Sequence, residues 1–270
     1  MGHMASLRIM KLYAQSSIIL PMPILLPEPT LINLILYGAF TALALSMGPF
    51  DYFGAMPMRY SKFRGEKGIS SRAGMFFLYF IPLLAALGFS MPYLTHPSLP
   101  QTILLLALLG HFAKRCLEVL FLHKYSGPMD FLSTLSIAGF YSLVAAGTSF
   151  LNAAALEPPD AWFWLGAVLF AVGETLNFWH HKLLADQREN SQEYVVPRGG
   201  LFGWVACPHY LFELLAWLGI ALISRHLFVY ISFVGMFSYL LARSLKTLAW
   251  YRAKFPDFPK ERKALIPWLI

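Results

Sequence analysis

Charge is what this sequence has least of. Only 13% of its 270 residues are Asp, Glu, Lys or Arg, where a soluble globular domain carries roughly 25%. With 57% hydrophobic residues and a mean hydropathy of +0.57, that deficit excludes a water-soluble globular domain. Cysteine is nearly absent as well. Cys116 and Cys207 fall in or near apolar segments and provide neither a disulfide framework nor metal-ligand spacing. The chain has no G-x-G-x-x-G fingerprint and no P-loop, which excludes a soluble-type dinucleotide-binding domain. It has no internal repeat and no low-complexity stretch, and a separate soluble domain is not expected within it. Adjacent His180 and His181 lack the carboxylate and third ligand of a zincin, so no metal is expected. The net charge of +7 reads as a flank effect of a membrane protein, not as a nucleic-acid signal.

What the sequence does have is long apolar runs. They cover about 32–50, 74–94, 102–122, 132–154, 161–181, 203–224 and 226–250, each near the roughly 20 residues that span a bilayer. Met1 to Ser6 read as vector-derived residues. The segment 7–31 contains Pro21, Pro23 and Pro27 in its apolar part and is expected to lie at the interface. Loop charges test the count. Arg59, Lys62, Arg64, Lys67 and Arg72 follow the first run, Lys124 the third, and Lys182, Arg188 and Arg198 the fifth; Arg252 through Lys263 fill the tail. The intervening loops have no Lys or Arg at 95–101, only Glu157 and Asp160 at 155–160, and Arg225 in the last. Every second loop is basic, as the positive-inside rule requires. The expectation is an all-α membrane protein of about seven transmembrane helices, N-terminus outside and C-terminus cytosolic, with residues 32–270 forming one domain.

Ionisable side chains interrupt these runs. His111, Lys114, Arg115 and Glu118 share one helical face by spacing. A charge at mid-bilayer costs roughly 2.5–3.5 kcal/mol, so such a face must turn inward to partners, water or ligand; snorkelling of Lys114 and Arg115 to the headgroups is the structural alternative. Glu174, Asn177 and His181 share a face of the fifth run. His209 and Glu213 stand one turn apart in the sixth, after Pro208, where a helix can restart. Gly199-Gly200 offers close backbone approach and free amides for an anion. Arg115, Arg188 and Arg243 are expected to rim one site near the cytosolic face, and arginines suit phosphates. Apolar walls point to a lipid as the second ligand.

These residues carry a family resemblance. Tyr194-Val-Val-Pro-Arg-Gly-Gly-Leu-Phe202, Cys207-Pro-His-Tyr-Leu-Phe-Glu-Leu214, Trp250-Tyr-Arg-Ala-Lys-Phe-Pro-Asp-Phe-Pro-Lys260 and the terminal Lys263-Ala-Leu-Ile-Pro-Trp-Leu269 resemble the steroid 5α-reductase family, which includes very-long-chain enoyl-CoA reductases and polyprenol reductases. His111 to Lys124 and Ser70 to Met75 look most like the enoyl-CoA reductases and the plant-type steroid-reductase-like branch. The resemblance implies an NADPH-dependent reductase of a carbon–carbon double bond conjugated to a carbonyl in a lipid. A 4-ene-3-oxosteroid is the leading substrate, with a trans-2-enoyl-CoA or a polyprenol-type lipid as alternatives. It implies a cofactor-binding half over about 161–270, with contacts from Arg115, Asn177, His181, Arg188, Tyr194, His209, Glu213, Arg243 and Tyr251. The glutamate and tyrosine that hold the 3-oxo group in animal steroid reductases are replaced here by Tyr79 or Phe80 and by Phe112. The lysine and tyrosine of the enoyl-CoA reductases are matched by Lys114 and Tyr210. Tyr210 is therefore expected to donate to the carbonyl oxygen, with Lys114 lowering its pKa or steadying the enolate, and Tyr79 is the second candidate donor. The endoplasmic reticulum is the expected location in a eukaryote, the inner membrane in a bacterium. Two other classes share parts of the pattern. A membrane methyltransferase would want acids after Arg243, where the chain reads Ser-Leu-Lys-Thr. A non-catalytic lipid-binding protein would use the same polar faces to hold helices together. NADPH binding separates the reductase from both.

Overall fold

The computed structural model describes residues 18–19, 24–155, 158–188 and 193–270. The vector-derived stretch, most of the 7–31 segment and Glu157 lie outside the described residues. Among them are seven long helices: α1 (Leu31–Phe53), α2 (Ser71–Ser90), α3 (Leu99–Leu117), α4 (Phe131–Asn152), α5 (Ala161–Asp186), α6 (Pro208–Ser224) and α7 (Leu227–Lys254). Each coincides with one of the apolar runs. Their starts follow from capping: Thr30, Asp130 and Asp160 accept from the third backbone amide of α1, α4 and α5, and Ser98 with Gln101 forms a reciprocal capping box on α3, which satisfies amides that a helix leaves open.

Five helices are long and apolar enough to cross a membrane by length and composition: Leu31–Phe53, Ser71–Tyr93, Phe131–Asn152, Ala161–Asp186 and Leu227–Lys254. The expected seven reduces to five on that criterion for physical reasons. α3 carries His111, Lys114 and Arg115 in its last two turns. α6 has only 17 residues, because the apolar run that begins near 203 passes through the non-helical residues 204–207 before the helix starts at Pro208. Pro208 is the first residue of α6, where its fixed φ and missing amide cost nothing. α3 runs on into one π-helical turn, Glu118–Leu122.

The helices pack as close pairs, α5 with α6, α2 with α4 and α1 with α7, and α3 leans on α2. The loops that leave α1 and α3 are tied together at one end of the bundle. There β3 (Ile69–Ser70) pairs antiparallel with β4 (Pro128–Met129), and Ser71 Oγ donates to the Gly127 carbonyl at 2.6 Å. At the start of the described chain, β1 (Ile18–Ile19) pairs with β2 (Leu25–Leu26), and Leu25 bridges to His226 between α6 and α7. The tail is structural too: Ala206 and Cys207 donate their amides to the Lys263 and Ala264 carbonyls at 2.8 and 3.1 Å, and this holds the entry to α6.

The α5–α6 pair is the tightest because glycines let backbones touch. A Cβ on Gly219 would stand 2.5 Å from the Phe170 nitrogen and 2.6 Å from the Gly166 carbonyl. Gly219→Val should therefore push the two helices apart and lower the thermal midpoint of the detergent-solubilised protein, at a cost of about 1–3 kcal/mol. An unchanged midpoint would show that the pair does not depend on this contact.

Candidate active site

A cavity of about 200 Å³ lies inside the end of the bundle where the basic loops gather. Its inner wall is apolar, with Met75, Leu78, Ile137 and Leu240; its rim bears Lys62, Arg64, Lys124 and Arg188. Eight of the 13 tyrosines face it (Tyr60, Tyr79, Tyr125, Tyr141, Tyr194, Tyr210, Tyr239 and Tyr251). Donors are thus plentiful without many buried charges. The lining comes from both halves of the chain, not from residues 161–270 alone.

Arg115 is the centre of the polar floor. It is 4% exposed, its Nη2 donates to the Tyr79 hydroxyl at 2.8 Å, and its guanidinium lies 4.7 Å from the Tyr79 ring centre. Its Nη1 donates to Glu118, which is 2% exposed. His181 Nδ1 sits 2.8 Å from Arg115 Nη1 and 3.0 Å from Glu118 Oε2. One ring nitrogen serves one of these at a time: with a proton it donates to the carboxylate, without one it accepts from the guanidinium. A carboxylate this deep requires a counter-charge, and Arg115 supplies it. Glu118, His123 and His181 bring metal-type ligand atoms within 4.8 Å of one another, but the guanidinium already lies against two of the three.

The other expected residues divide by location. Tyr79, Arg115, His181, Arg188, Tyr194, His209, Tyr210, Glu213 and Tyr251 all line the cavity. Glu213 is 4% exposed, and no hydrogen bond joins it to His209 among the described residues. His209 Nδ1 is buried without a partner among them. At the mouth, Tyr194 takes a hydrogen bond from Ser126 at 3.3 Å and stands against Arg188, 4.4 Å from its ring centre, and Lys62, at 5.2 Å. Burial alone would raise its hydroxyl pKa; hydrogen bonds with Ser126 and Ser61 and the charges of Lys62 and Arg188 outweigh this and bring it below the ordinary tyrosine value.

Three expected residues do not reach the cavity. Lys114 turns to the other flank of α3, where its Nζ pairs with Glu174 Oε2 at 2.7 Å and donates to Asn177 Oδ1 at 2.7 Å. The four polar residues of α3 therefore do not look one way, since the helix has a partner on each side of that face. Asn177 is buried between Lys114 and the His209 carbonyl. Arg243, 1% exposed, stands behind the wall. It donates to the Met58 carbonyl at 3.0 Å, lies 3.6 Å from the buried Asp51 and stacks under Tyr60, so of the three expected rim arginines only Arg188 is at the rim. The Gly199-Gly200 turn is likewise used for packing: a Cβ on Gly200 would stand 2.6 Å from His180 Nε2, and that same nitrogen accepts the Leu201 amide at 3.1 Å. With its Nδ1 held 2.7 Å from the Leu176 carbonyl, His180 is structural. Sequence reading missed Tyr60, Tyr125, Tyr141 and Tyr239. Tyr141 and Tyr239 sit inside apolar runs, where only the spacing of a polar tip on an inward face marks them.

Fold and cavity together define an all-α membrane protein with a tyrosine-lined pocket, apolar within and basic at its mouth. The family of 3-oxo-5-alpha-steroid 4-dehydrogenases matches residues 134–270. The 3-oxo-5-alpha-steroid 4-dehydrogenase 1 of Bos taurus is 32% identical over 197 residues, 70% of this chain and 76% of its own length. A steroid 5-alpha-reductase of Solanum lycopersicum is 39% identical over 115 residues, 41% of this chain and 45% of its own. A very-long-chain enoyl-CoA reductase of Dictyostelium discoideum is 31% identical over 182 residues, 64% of this chain and 59% of its own. The match thus spans less than half of the tomato protein and about three-fifths of the amoebal one. The chain belongs to the 3-oxo-5-alpha-steroid 4-dehydrogenase family.

The floor makes a thermodynamic prediction. Arg115→Met should destabilise the protein by about 3–5 kcal/mol, because Glu118 is left buried without its main counter-charge. Adding Glu118→Gln should recover most of the loss in thermal unfolding. A double variant as unstable as the sum of the two single losses would contradict the pairing.

Proposed function

We propose that the protein is an NADPH-dependent membrane reductase of a carbon–carbon double bond conjugated to a carbonyl in a lipid, with a 4-ene-3-oxosteroid as the leading substrate. The observation that carries this reading is the Tyr79 hydroxyl, fixed by Arg115 where the polar floor meets the apolar wall of Leu78 and Ile137. Reduction leaves a developing negative charge on the carbonyl oxygen. A preorganised donor in a water-poor site stabilises such charge. A neutral tyrosine hydroxyl is a good hydrogen-bond donor to such an oxygen, and Arg115 steadies the tyrosinate left once the proton is given up. This favours Tyr79 over Tyr210 as donor; Tyr210 lines the same cavity and is the second candidate.

The residues fit the cofactor. The buried, unpartnered His209 Nδ1 asks for a ligand group, and the cations around Tyr194 suit phosphates. Arg188, Tyr194 and Tyr251 would hold the cofactor near the mouth, and His181, His209 and Glu213 deeper in. NADPH, when bound, would supply the hydride to the substrate β-carbon.

The enoyl-CoA reading has an observation of its own. Arg64 and Lys124 line the rim beyond the cations grouped at Tyr194, and they would suit a second polyanionic handle. Purified protein given NADPH and either substrate, with loss of nicotinamide absorbance followed, decides between them. Tyr79→Phe should lower turnover by about 10²–10³ with cofactor affinity nearly unchanged. Near-normal turnover in Tyr79→Phe with loss in Tyr210→Phe would move the donor to α6.

The reading includes seven spans, α3 and α6 among them, with the N-terminus outside, the C-terminus cytosolic and the location the endoplasmic reticulum in a eukaryotic cell. Lys62, Arg64, Lys124 and Arg188 come together at one cavity mouth, which supports placing their loops on one side, the side of the positive-inside rule. A glycosylation acceptor inserted near residue 158 should be modified, and one in the loop after Asp186 should not. The reverse would overturn the orientation and with it the cytosolic supply of cofactor.

A further inference from the structure

A second ionic cluster lies outside the cavity, between α3 and α5. His111 Nδ1 is 2.6 Å from Glu174 Oε1, and the other Glu174 oxygen is 2.7 Å from Lys114 Nζ. The ammonium has three hydrogens and accepts nothing. It approaches Asn177 Oδ1 at 2.7 Å and the Glu174 carbonyl at 3.4 Å besides the carboxylate. Because Lys114 only donates, the oxygen of the Asn177 amide must face it, and the amide nitrogen is turned the other way. That nitrogen donates to the His209 carbonyl at 2.8 Å. The chain of contacts ends in the first turn of α6, the turn that brings His209, Tyr210 and Glu213 to the cavity.

This turn needs outside support. It begins at Pro208, which has no amide, after Cys207 in a non-helical conformation and with no side-chain cap. On one side the tail strand at Lys263–Ala264 holds residues 206 and 207. On the other the Asn177 contact is a buried hydrogen bond from a neighbouring helix.

We propose that Lys114 is a positioning residue that acts through Asn177 on the His209 carbonyl, and so fixes the first turn of α6 against the cavity. Glu174 and His111 neutralise and orient Lys114. The lysine does not touch the reacting atoms. The geometric claim stands on these contacts; its consequence for turnover rests on the reductase reading above.

The test pairs exchange with kinetics. In hydrogen–deuterium exchange of the detergent-solubilised full chain, the Tyr210 and Leu211 amides, which donate to the Cys207 carbonyl at 3.1 and 3.4 Å, report on the turn. Lys114→Met/Glu174→Gln removes both charges, so no carboxylate is left unpaired. It should speed exchange of peptides over 206–213 about tenfold while peptides over 99–109 stay unchanged. Asn177→Leu should do the same, and Lys114→Arg, which keeps a donor, should restore protection. Where reductase activity is measurable, a displaced turn should lower kcat by about 10- to 100-fold, with Lys114→Arg close to wild type. The three changes combined should cost no more than Asn177→Leu alone. Unchanged protection over 206–213 in both Lys114→Met/Glu174→Gln and Asn177→Leu would overturn the proposal, as would multiplying kinetic losses. Absence of reductase activity in the wild type would overturn the functional reading, and the exchange data would still decide this one.

Discussion

The structure turns on one guanidinium. Arg115 sits in α3 at 4% exposure and meets Glu118, His181 and Tyr79, so a single cation connects three helices, α2, α3 and α5. An arginine can do this where a lysine cannot, because its planar fork presents five donors in fixed directions and does not deprotonate. The consequence is a polar floor without excess charge under a cavity lined by tyrosine hydroxyls. Without Arg115, Glu118 keeps only His181, at 3.0 Å, the edge of His123, at 4.0 Å, and Lys114, 3.6 Å from its other oxygen, and the Tyr79 hydroxyl loses its hydrogen-bond donor among the described residues.

A second cationic centre supports the mouth in a comparable way. Asp51, fully buried at the end of α1, accepts from the Met58 amide at 2.8 Å and from Lys246 at 3.0 Å, while Arg243 takes the Met58 carbonyl. The loop that follows bears Tyr60, Ser61 and Lys62 into the cavity lining. Arg243 thus shapes the rim from behind, through backbone and ring contacts.

How much of this was legible beforehand depends on what period and charge can encode. The seven helices coincide with seven apolar runs because an apolar run of bilayer length in a chain this poor in charge has few other outcomes. Most of the expected site residues line one cavity, because an ionisable side chain at membrane depth must turn inward. What could not be read was direction within a face. His111, Lys114, Arg115 and Glu118 share spacing, but α3 lies between α2 and α5, so Arg115 turns to Tyr79 and Lys114 to Glu174. Arg243 was expected at the rim because its sequence neighbours are apolar; the partner that draws it away, Asp51, is 192 positions earlier in the chain, and only tertiary packing brings them together. The Gly199-Gly200 turn has the composition of an anion cradle and the surroundings of a packing contact. Tyr141 and Tyr239 were invisible for the opposite reason, since a tyrosine in an apolar run reads as part of the core.

In the proposed reduction, hydride reaches the β-carbon of an enone bound over this floor and Tyr79 handles the proton. The most direct measurement supplies NADPH labelled with deuterium at the transferable position together with a 4-ene-3-oxosteroid, and locates the label in the product by NMR. The expected product carries deuterium on the β-carbon, a solvent-derived hydrogen on the α-carbon and an intact ketone. Deuterium on the carbonyl carbon, with an alcohol as product, would contradict the proposed reduction.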